Sequence, residues 1–493
     1  LNTKILKNWI KVLFIKSVIM KNYKYCFFSV VFTLLVININ AQIKVGPLFS
    51  NDMILQRNSE VPIWGEADAN QEISIQSSWN QKKTTTKADS DGNWSVKIET
   101  PEAGGPYNID IISSNSNVKL SNVLIGEVWI TSGQSNMQMT LNGYTHEPVL
   151  GSLDMIANAN NTNIRLFTFK RVTSKKPIRD VSGKWLVSNS ENTAVFSVIG
   201  YSFANYLNKV LDIPIGIINT SWGGTPAEAW TDNKTLVENF KKSEIKNFRE
   251  GKPKNHDPSA LFNGMINPLI PFKIRGALWY QGESNVSRAN NYTKLMNVMI
   301  DGWRREWNQG SFPFYFVQIA PFKYSGSNKS ESAYLREAQL KTMLQTKNSG
   351  MAVTLDIGKE FSIHPDKKII IGKRLAYWAL ANDYKVKGVS FSGPVYKSIE
   401  INEDKAIVDF DYAESGFIFL NSKINGFEIA GEDKVFHPAS VKVMYGKKNS
   451  TLTITSDKVK KPVAVRYGWK NYVEGNLYNT KGLPASSFRS DNW

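Results

Sequence analysis

From Gln42 to Gly126 apolar and polar residues alternate in short runs: "VPIWG", "EISIQ", "WSVKIE", "YNIDIIS" and "VKLSNVLIG". The clusters "ADAN", "DSDGN" and "EAGGP" separate them. A period of two gives a strand one face for a core and one for water, and Gly, Asn and Asp end it at turns. The pattern predicts a β-sandwich over residues 42–125. Over 126–385 the runs become predominantly apolar, as buried strands are: "GEVWI", "IPIGIINTS", "IRGALWYQG", "FPFYFVQIA" and "GMAVTLDIG". Between them lie helical stretches. "ANNYTKLMNVMIDGWRREW" sets Leu295, Met299 and Trp303 at four-residue steps, and "SAYLREAQLKTMLQT" and "KKIIIGKRLAYWALAND" behave alike. Buried strands alternating with amphipathic helices predict an α/β domain with a parallel sheet covered on both faces. Alternation returns over 386–493, in "SIEINEDKAIVDFDY", "STLTITS" and "PVAVRYGW", and predicts a second β-rich region.

Composition changes this picture mainly at the amino end. From Met20 the chain reads "MKNYKYCFFSVVFTLLVININAQ": lysines, an apolar stretch near 26–37, then Ala41 placed to precede a cut. Residues 1–41 are read as a signal or leader segment, and those before Met20 as untranslated upstream sequence. The apolar stretch is too short for a comfortable membrane span, so the expectation is export to the periplasm or beyond, with no stable membrane insertion. Cys26, the only cysteine, falls in this segment. A mature chain would then have no disulfide, no thiol nucleophile and no thiolate metal site. Removing the six lysines of residues 1–41 takes the formal charge from +17 to +11. The remaining basic residues are scattered, as in "RVTSKKPIR" and "KVKK", with no nucleic-acid motif, so no nucleic-acid partner is expected. Two readings stay open: a solvated basic face, or a lean toward an acidic glycan.

Chemistry-bearing clusters follow the apolar strands, where ligands of a parallel sheet bind. "TSGQSNM" follows "GEVWI", "WGGTPAEAW" follows "GIINTS", "QGESN" follows "GALWY", and "KEFSIHP" follows "AVTLDIG". A serine hydroxyl needs a base to act as a nucleophile. Of His146, His256, His364 and His437, only His364 stands at a strand-to-helix junction, with Pro365 suited to the first helical position. Ser135 is therefore expected as nucleophile and His364 as base. Asp356 is the first choice to orient the imidazole, with Glu360 and Asp366 as alternatives. Oxyanion donors are expected from the Ser135 N–H and from the "WGG" turn, with Gly224 preferred to Gly223. A side-chain amide from Gln281 or Asn285 would complete the hole. Trp222, Trp230 and Glu283 are read as substrate-binding, with Tyr280 adjoining the same blocks. No cofactor or metal is expected. Glu228 and Glu283 also admit a two-carboxylate glycosidase, and a non-catalytic glycan-binding protein is a third reading.

The blocks "GQSNM", "WGGTPAEAW", "WYQGESN" and "IHPDKK" resemble those of the SGNH-type hydrolases, and more closely the sialate O-acetylesterase family. "PLFSNDMILQRNSEVPIWGEA" and "VRYGWKNY" extend the resemblance over nearly the whole mature chain. It implies a three-layer α/β/α catalytic domain and removal of acetyl esters from an acetylated carbohydrate. Sialate esters come first, with acetylated xylan as the alternative within the same family. It also implies Ser135 as nucleophile, His364 as base, and Gly224 with Gln281 and Asn285 around the oxyanion. One departure matters: the position three before the histidine, acidic in many relatives, is Phe361. The third member is then Asp356, or the site works as a dyad helped by a backbone carbonyl.

Overall fold

The computed structural model describes residues 3–4, 6–17, 20, 42–179, 182–241, 243–245, 252–419, 423–446 and 450–493. The apolar stretch near 26–37, Cys26 and Ala41, which carry the export reading, lie outside the described residues. Among the described residues no helix is long and apolar enough to cross a membrane.

The chain is a mixed α/β protein built on one large mixed sheet, with several further β-sheets. Seven strands of the large sheet position the site. They are β1 (Asn117–Gly133), β2 (Asn161–Thr168), β3 (Trp185–Ser188), β4 (Ile215–Asn219), β5 (Gly276–Tyr280), β6 (Phe314–Val317) and β7 (Ser349–Ala352). Their order in space is β3-β2-β4-β1-β5-β6-β7. All neighbours pair in parallel except β3, which closes one edge antiparallel to β2. Every residue of β4, β5 and β6 is buried, which is why these runs show no polar alternation.

The runs "VKLSNVLIG" and "GEVWI" are one strand, β1, and it passes straight through the boundary expected at 125/126. Its first half pairs antiparallel with Gly104–Ile112, and its second half parallel with β4 and β5. Gly126 permits the crossing, because a Cβ there would come within 2.1 Å of the Pro214 carbonyl.

The main helices are α1 (Ser135–Gln138), α2 (Val198–Leu211), α3 (Ala289–Trp307), α4 (Glu331–Gln345) and α5 (Lys368–Asn382). Helix α2 packs on α5, and α3 on α4. Helix α3 coincides with its sequence pattern, and Leu295, Met299 and Trp303 are buried as the four-residue steps require. Trp303 meets Trp279 of β5 edge-on at 6.0 Å, while Trp129 of β1 meets Phe203 of α2 at 5.0 Å. Burying each such ring contributes roughly 1.5–3 kcal/mol or more, so these aromatics fix the helices to the sheet. Toward the carboxyl end, Val395–Asn402, Lys405–Asp411, Ser450–Thr455 and Ser440–Tyr445 form a four-stranded antiparallel sheet.

Candidate active site

Strand β1 stops at Gly133, whose φ of +128° is open to glycine and strained for other residues. A Cβ there would also lie 2.1 Å from the Tyr280 carbonyl. The sharp exit places Ser135 at the first residue of α1, half-buried, with no intrahelical acceptor for its N–H. The turn is fixed by the Gln134 N–H bond to Tyr280 O at 2.9 Å and by Gln134 Oε1, which accepts from Ser284 N at 3.3 Å.

His364 comes from beyond the edge strand of the sheet, on the loop between β7 and α5. Its Nε2 lies 2.8 Å from Ser135 Oγ, and its Nδ1 lies 2.7 Å from Glu147 Oε2. The carboxylate accepts the Nδ1 proton, which leaves Nε2 as the acceptor for the serine hydroxyl. Ser362 Oγ donates to the other oxygen of Glu147 at 2.9 Å. Glu147 itself is held in a tight turn: its N–H and carbonyl both pair with Tyr144, and His146 between them sits at φ +64°. The Tyr144 hydroxyl donates to Ser135 O at 3.1 Å, and its ring meets the imidazole edge-on at 5.2 Å. Burial lowers the pKa of His364, and the nearby Lys368 charge adds to this against the opposing pull of Glu147. A base that stays neutral below the ordinary histidine range is the result. Burial also raises the Tyr144 hydroxyl to about 12, so it remains a donor.

Asp356 does not join this set. Both of its oxygens bind Arg374 of α5, at 2.8 and 2.6 Å, in a nearly enclosed ion pair. The carboxylate is consumed by a buried guanidinium that would otherwise be unpaired. Nor do the two alternatives reach the imidazole: Glu360 accepts from Ser327 Oγ, and Asp366 pairs with Lys359. Phe361 is 76% exposed, under the Lys323 ammonium. Helix α5 begins at Lys368, so Pro365 lies ahead of it and His364 is held by the loop.

The glycine turn separates two roles. The Gly223 N–H donates to Gln138 Oε1 at 2.7 Å, and a Cβ added at Gly223 would come within 3.3 Å of Ser135 Cβ. Gly224, at φ +72°, is exposed and opens onto a cavity of about 480 Å³ lined also by Pro226, Glu228, His256, Ser284 and Arg288. Gln281 is fully buried, and both of its amide protons are in use, on Thr225 O at 3.1 Å and Asn285 Oδ1 at 2.7 Å. Its carbonyl takes the Tyr292 hydroxyl at 2.9 Å. It braces the loops and has no donor left for an oxyanion. Asn285 belongs to the same brace, accepting from Ala227 N at 3.0 Å and donating to Glu228 at 3.0 Å.

Trp230 has 0% exposure; its indole N–H donates to Thr225 Oγ1 and its ring packs on Trp279. Tyr280 is likewise buried. Both are core, so of the three aromatics only half-buried Trp222 has a surface to offer. The Glu283 carboxylate does not face the open site either. One oxygen accepts from Asn136 Nδ2 at 2.5 Å, the other is enclosed without a partner, and burial raises its pKa. Glu147 was missed because the sequence carries no signal that ties residue 147 to residue 364; in "GYTHEP" it stands beside His146, the residue type that a search for a base picks out. Among the described residues no group of His, Cys, Asp and Glu could hold a metal ion.

Residues 125–381 match the profile of the carbohydrate esterase family described as sialic acid-specific acetylesterases. The sialate O-acetylesterase of Homo sapiens is 29% identical over 490 residues, covering 89% of this chain and 91% of the relative. That of Rattus norvegicus is 28% identical over 511 residues, covering 89% and 92%. A crystal structure of a carbohydrate acetylesterase from Xanthomonas citri matches with a TM-score of 0.84 at 35% identity, over 92% of this chain and 100% of that one. A profile match across the middle of the chain, and a solved fold shared over nearly all of it, lead to one assignment: the chain belongs to the sialic acid-specific acetylesterase family of carbohydrate esterases, which hydrolyse carboxylic esters.

Proposed function

We propose that this chain removes O-acetyl groups from glycans by two-step acyl transfer at Ser135, with O-acetylated sialic acids as its substrates. The observation that carries the reading is the continuous chain of contacts from Ser135 Oγ to His364 Nε2 at 2.8 Å and from His364 Nδ1 to Glu147 at 2.7 Å. Ser135 Oγ attacks the acetyl carbonyl while His364 Nε2 takes its proton, and Glu147 stabilises the imidazolium that forms. The oxyanion is met by the N–H groups of Ser135 and Gly224, fixed by α1 and by the glycine turn. Collapse breaks the ester, and His364 returns the proton to the departing sugar hydroxyl. Water, deprotonated by His364, then attacks the acetyl-Ser135 carbonyl and releases acetate. The sugar occupies the cavity beside Gly224, and half-buried Trp222 stands two residues before that glycine in the same turn.

The strand register supports the finer fold assignment of a three-layer SGNH-type domain over 126–385. Trp129 pairs with Gly276 and Ser132 with Trp279, so Trp129 and Trp279 alternate to opposite faces, one toward α2 and the other toward α3. Residues 42–125 and 386–493 are its β-rich flanks. The order of lysines, apolar residues and Ala41 supports export.

Acetate and free sugar should be measured from O-acetylated sialosides, acetylated xylo-oligosaccharides and acetylated pectic fragments. Acetate from the sialosides, at a kcat/KM at least about tenfold above the neutral glycans, is expected. A preference for xylo-oligosaccharides would move the substrate to plant polysaccharide. Monosaccharide release without acetate would instead favour a glycosidase, for which Glu228 and Glu283 are poorly placed, each being tied to another side chain.

A further inference from the structure

Four parts of the chain meet at the amide of Asn136, the residue after Ser135. Its Nδ2 donates to Glu283 Oε1 at 2.5 Å and to Ile363 O at 3.1 Å, and its Oδ1 accepts from the Lys368 ammonium. Ile363 directly precedes His364, and Lys368 opens α5. Asn136 and Lys368 are fully buried, the Lys368 ammonium lies 5.7 Å over the Tyr280 ring, and Glu283 Oε2 is enclosed without a partner. Only one orientation of the amide works, since its reverse would face oxygen to two acceptors and NH₂ to a cation. A buried ammonium and a buried carboxylate are each costly alone, and apolar residues of the same volume would commonly hold a core as well. Stability gives no reason for this arrangement, yet it sits directly behind the nucleophile.

We propose that Asn136, Lys368 and Glu283 form a positioning cluster that locks the Ser135 turn onto the His364 loop, and that the Lys368 charge sets where in pH the imidazole becomes a free base. The proposal rests on the acyl-transfer reading of Ser135 and His364. Lys368 is faced by Glu283, Glu147 and Asp366, which favour its charge; burial outweighs them and brings its pKa down to about 7. Asp366 is itself paired with Lys359. Glu283 faces Tyr280 and Tyr324 in addition to Asn136 and Lys368, and Arg336 acts on Tyr324. His364 faces Glu147, Lys368 and Tyr144, and Arg171 acts on Tyr144. A positive Lys368 disfavours a second positive charge on His364. Removing it raises the imidazole pKa, so the rising limb of kcat/KM moves to higher pH.

The test compares Lys368→Met, Glu283→Gln and the double variant, using a small aryl acetate across the acid limb. Lys368→Met is expected to lower kcat by about 10- to 100-fold with KM changed less than about threefold, and to move the limb up by roughly half a pH unit or more. Glu283→Gln keeps an acceptor for Asn136 but strips the counter-charge. Lys368 then loses its proton at lower pH, and the limb moves the same way. The double variant carries neither buried charge, so it stays interpretable where Lys368→Met alone does not fold. A folded double variant with a displaced limb and reduced kcat supports the cluster; one with the parent limb and parent kcat overturns it. Failure of the acyl-transfer reading itself is read separately, on Ser135→Ala.

Discussion

Replacing Ser135 by alanine is expected to lower kcat for acetate release by about 10⁴-fold or more, with KM for the glycan little changed. The substitution removes one oxygen and little else. Gly133, the Gln134 bonds to Tyr280 and Ser284, and the Gly223 bond to Gln138 hold the turn without the hydroxyl. The proposed oxyanion donors, the N–H groups of Ser135 and Gly224, are backbone groups that the substitution leaves in place, so residual catalysis over water is expected to persist. Because the hydroxyl is half-buried and replaced by a smaller group, stability should change by less than about 1 kcal/mol. Initial rates on an aryl acetate and on an acetylated sialoside, with mass spectrometry of a phosphonate-labelled sample, check both halves. The parent should gain one phosphonyl group at Ser135 and the variant none. Activity within tenfold of the parent would remove Ser135 from the mechanism.

How much of this was legible beforehand depends on whether a feature is local. The strands β4, β5 and β6 and the helix α3 were, because the strands are buried at every position and almost wholly apolar and the helix repeats its apolar residues at helical steps; β2, β3 and α2 carry no run that marks them as plainly. The turn at Ser135 was legible for the same reason: an apolar run that breaks at Gly133 writes its geometry into adjacent residues. What depended on side chains far apart was not. Asp356 ends an apolar run as a triad acid would, but Arg374, 18 residues later on α5, claims it. Gln281 and Trp230 sit inside the right blocks, yet their polar atoms brace loops, to Thr225 and Asn285 in one case and to Thr225 in the other. Blocks mark where the chain turns toward the site. Which side chains reach it is decided by partners that the blocks do not contain, and Glu147, 217 residues from His364, is the clearest instance.

Glu147 is therefore the residue at which sequence and geometry make opposite forecasts, and two substitutions separate them. Glu147→Gln is expected to lower kcat by about 10³- to 10⁴-fold. Ser362 donates to Oε1, which fixes the carboxamide oxygen there and turns its NH₂ toward His364 Nδ1. The imidazole must then accept at Nδ1 and carry its proton on Nε2, where it cannot take the proton of Ser135. The charge that stabilises the imidazolium is lost as well. Asp356→Asn should leave kcat within about threefold but cost about 3–5 kcal/mol of stability, because it breaks the nearly enclosed pair with Arg374. Steady-state kinetics on an aryl acetate and denaturant midpoints at constant m resolve the two effects. The reverse pattern, an inactive but stable Asp356→Asn beside a fully active Glu147→Gln, would return the third catalytic position to Asp356 and would require the loop carrying Glu147 to leave the imidazole during turnover.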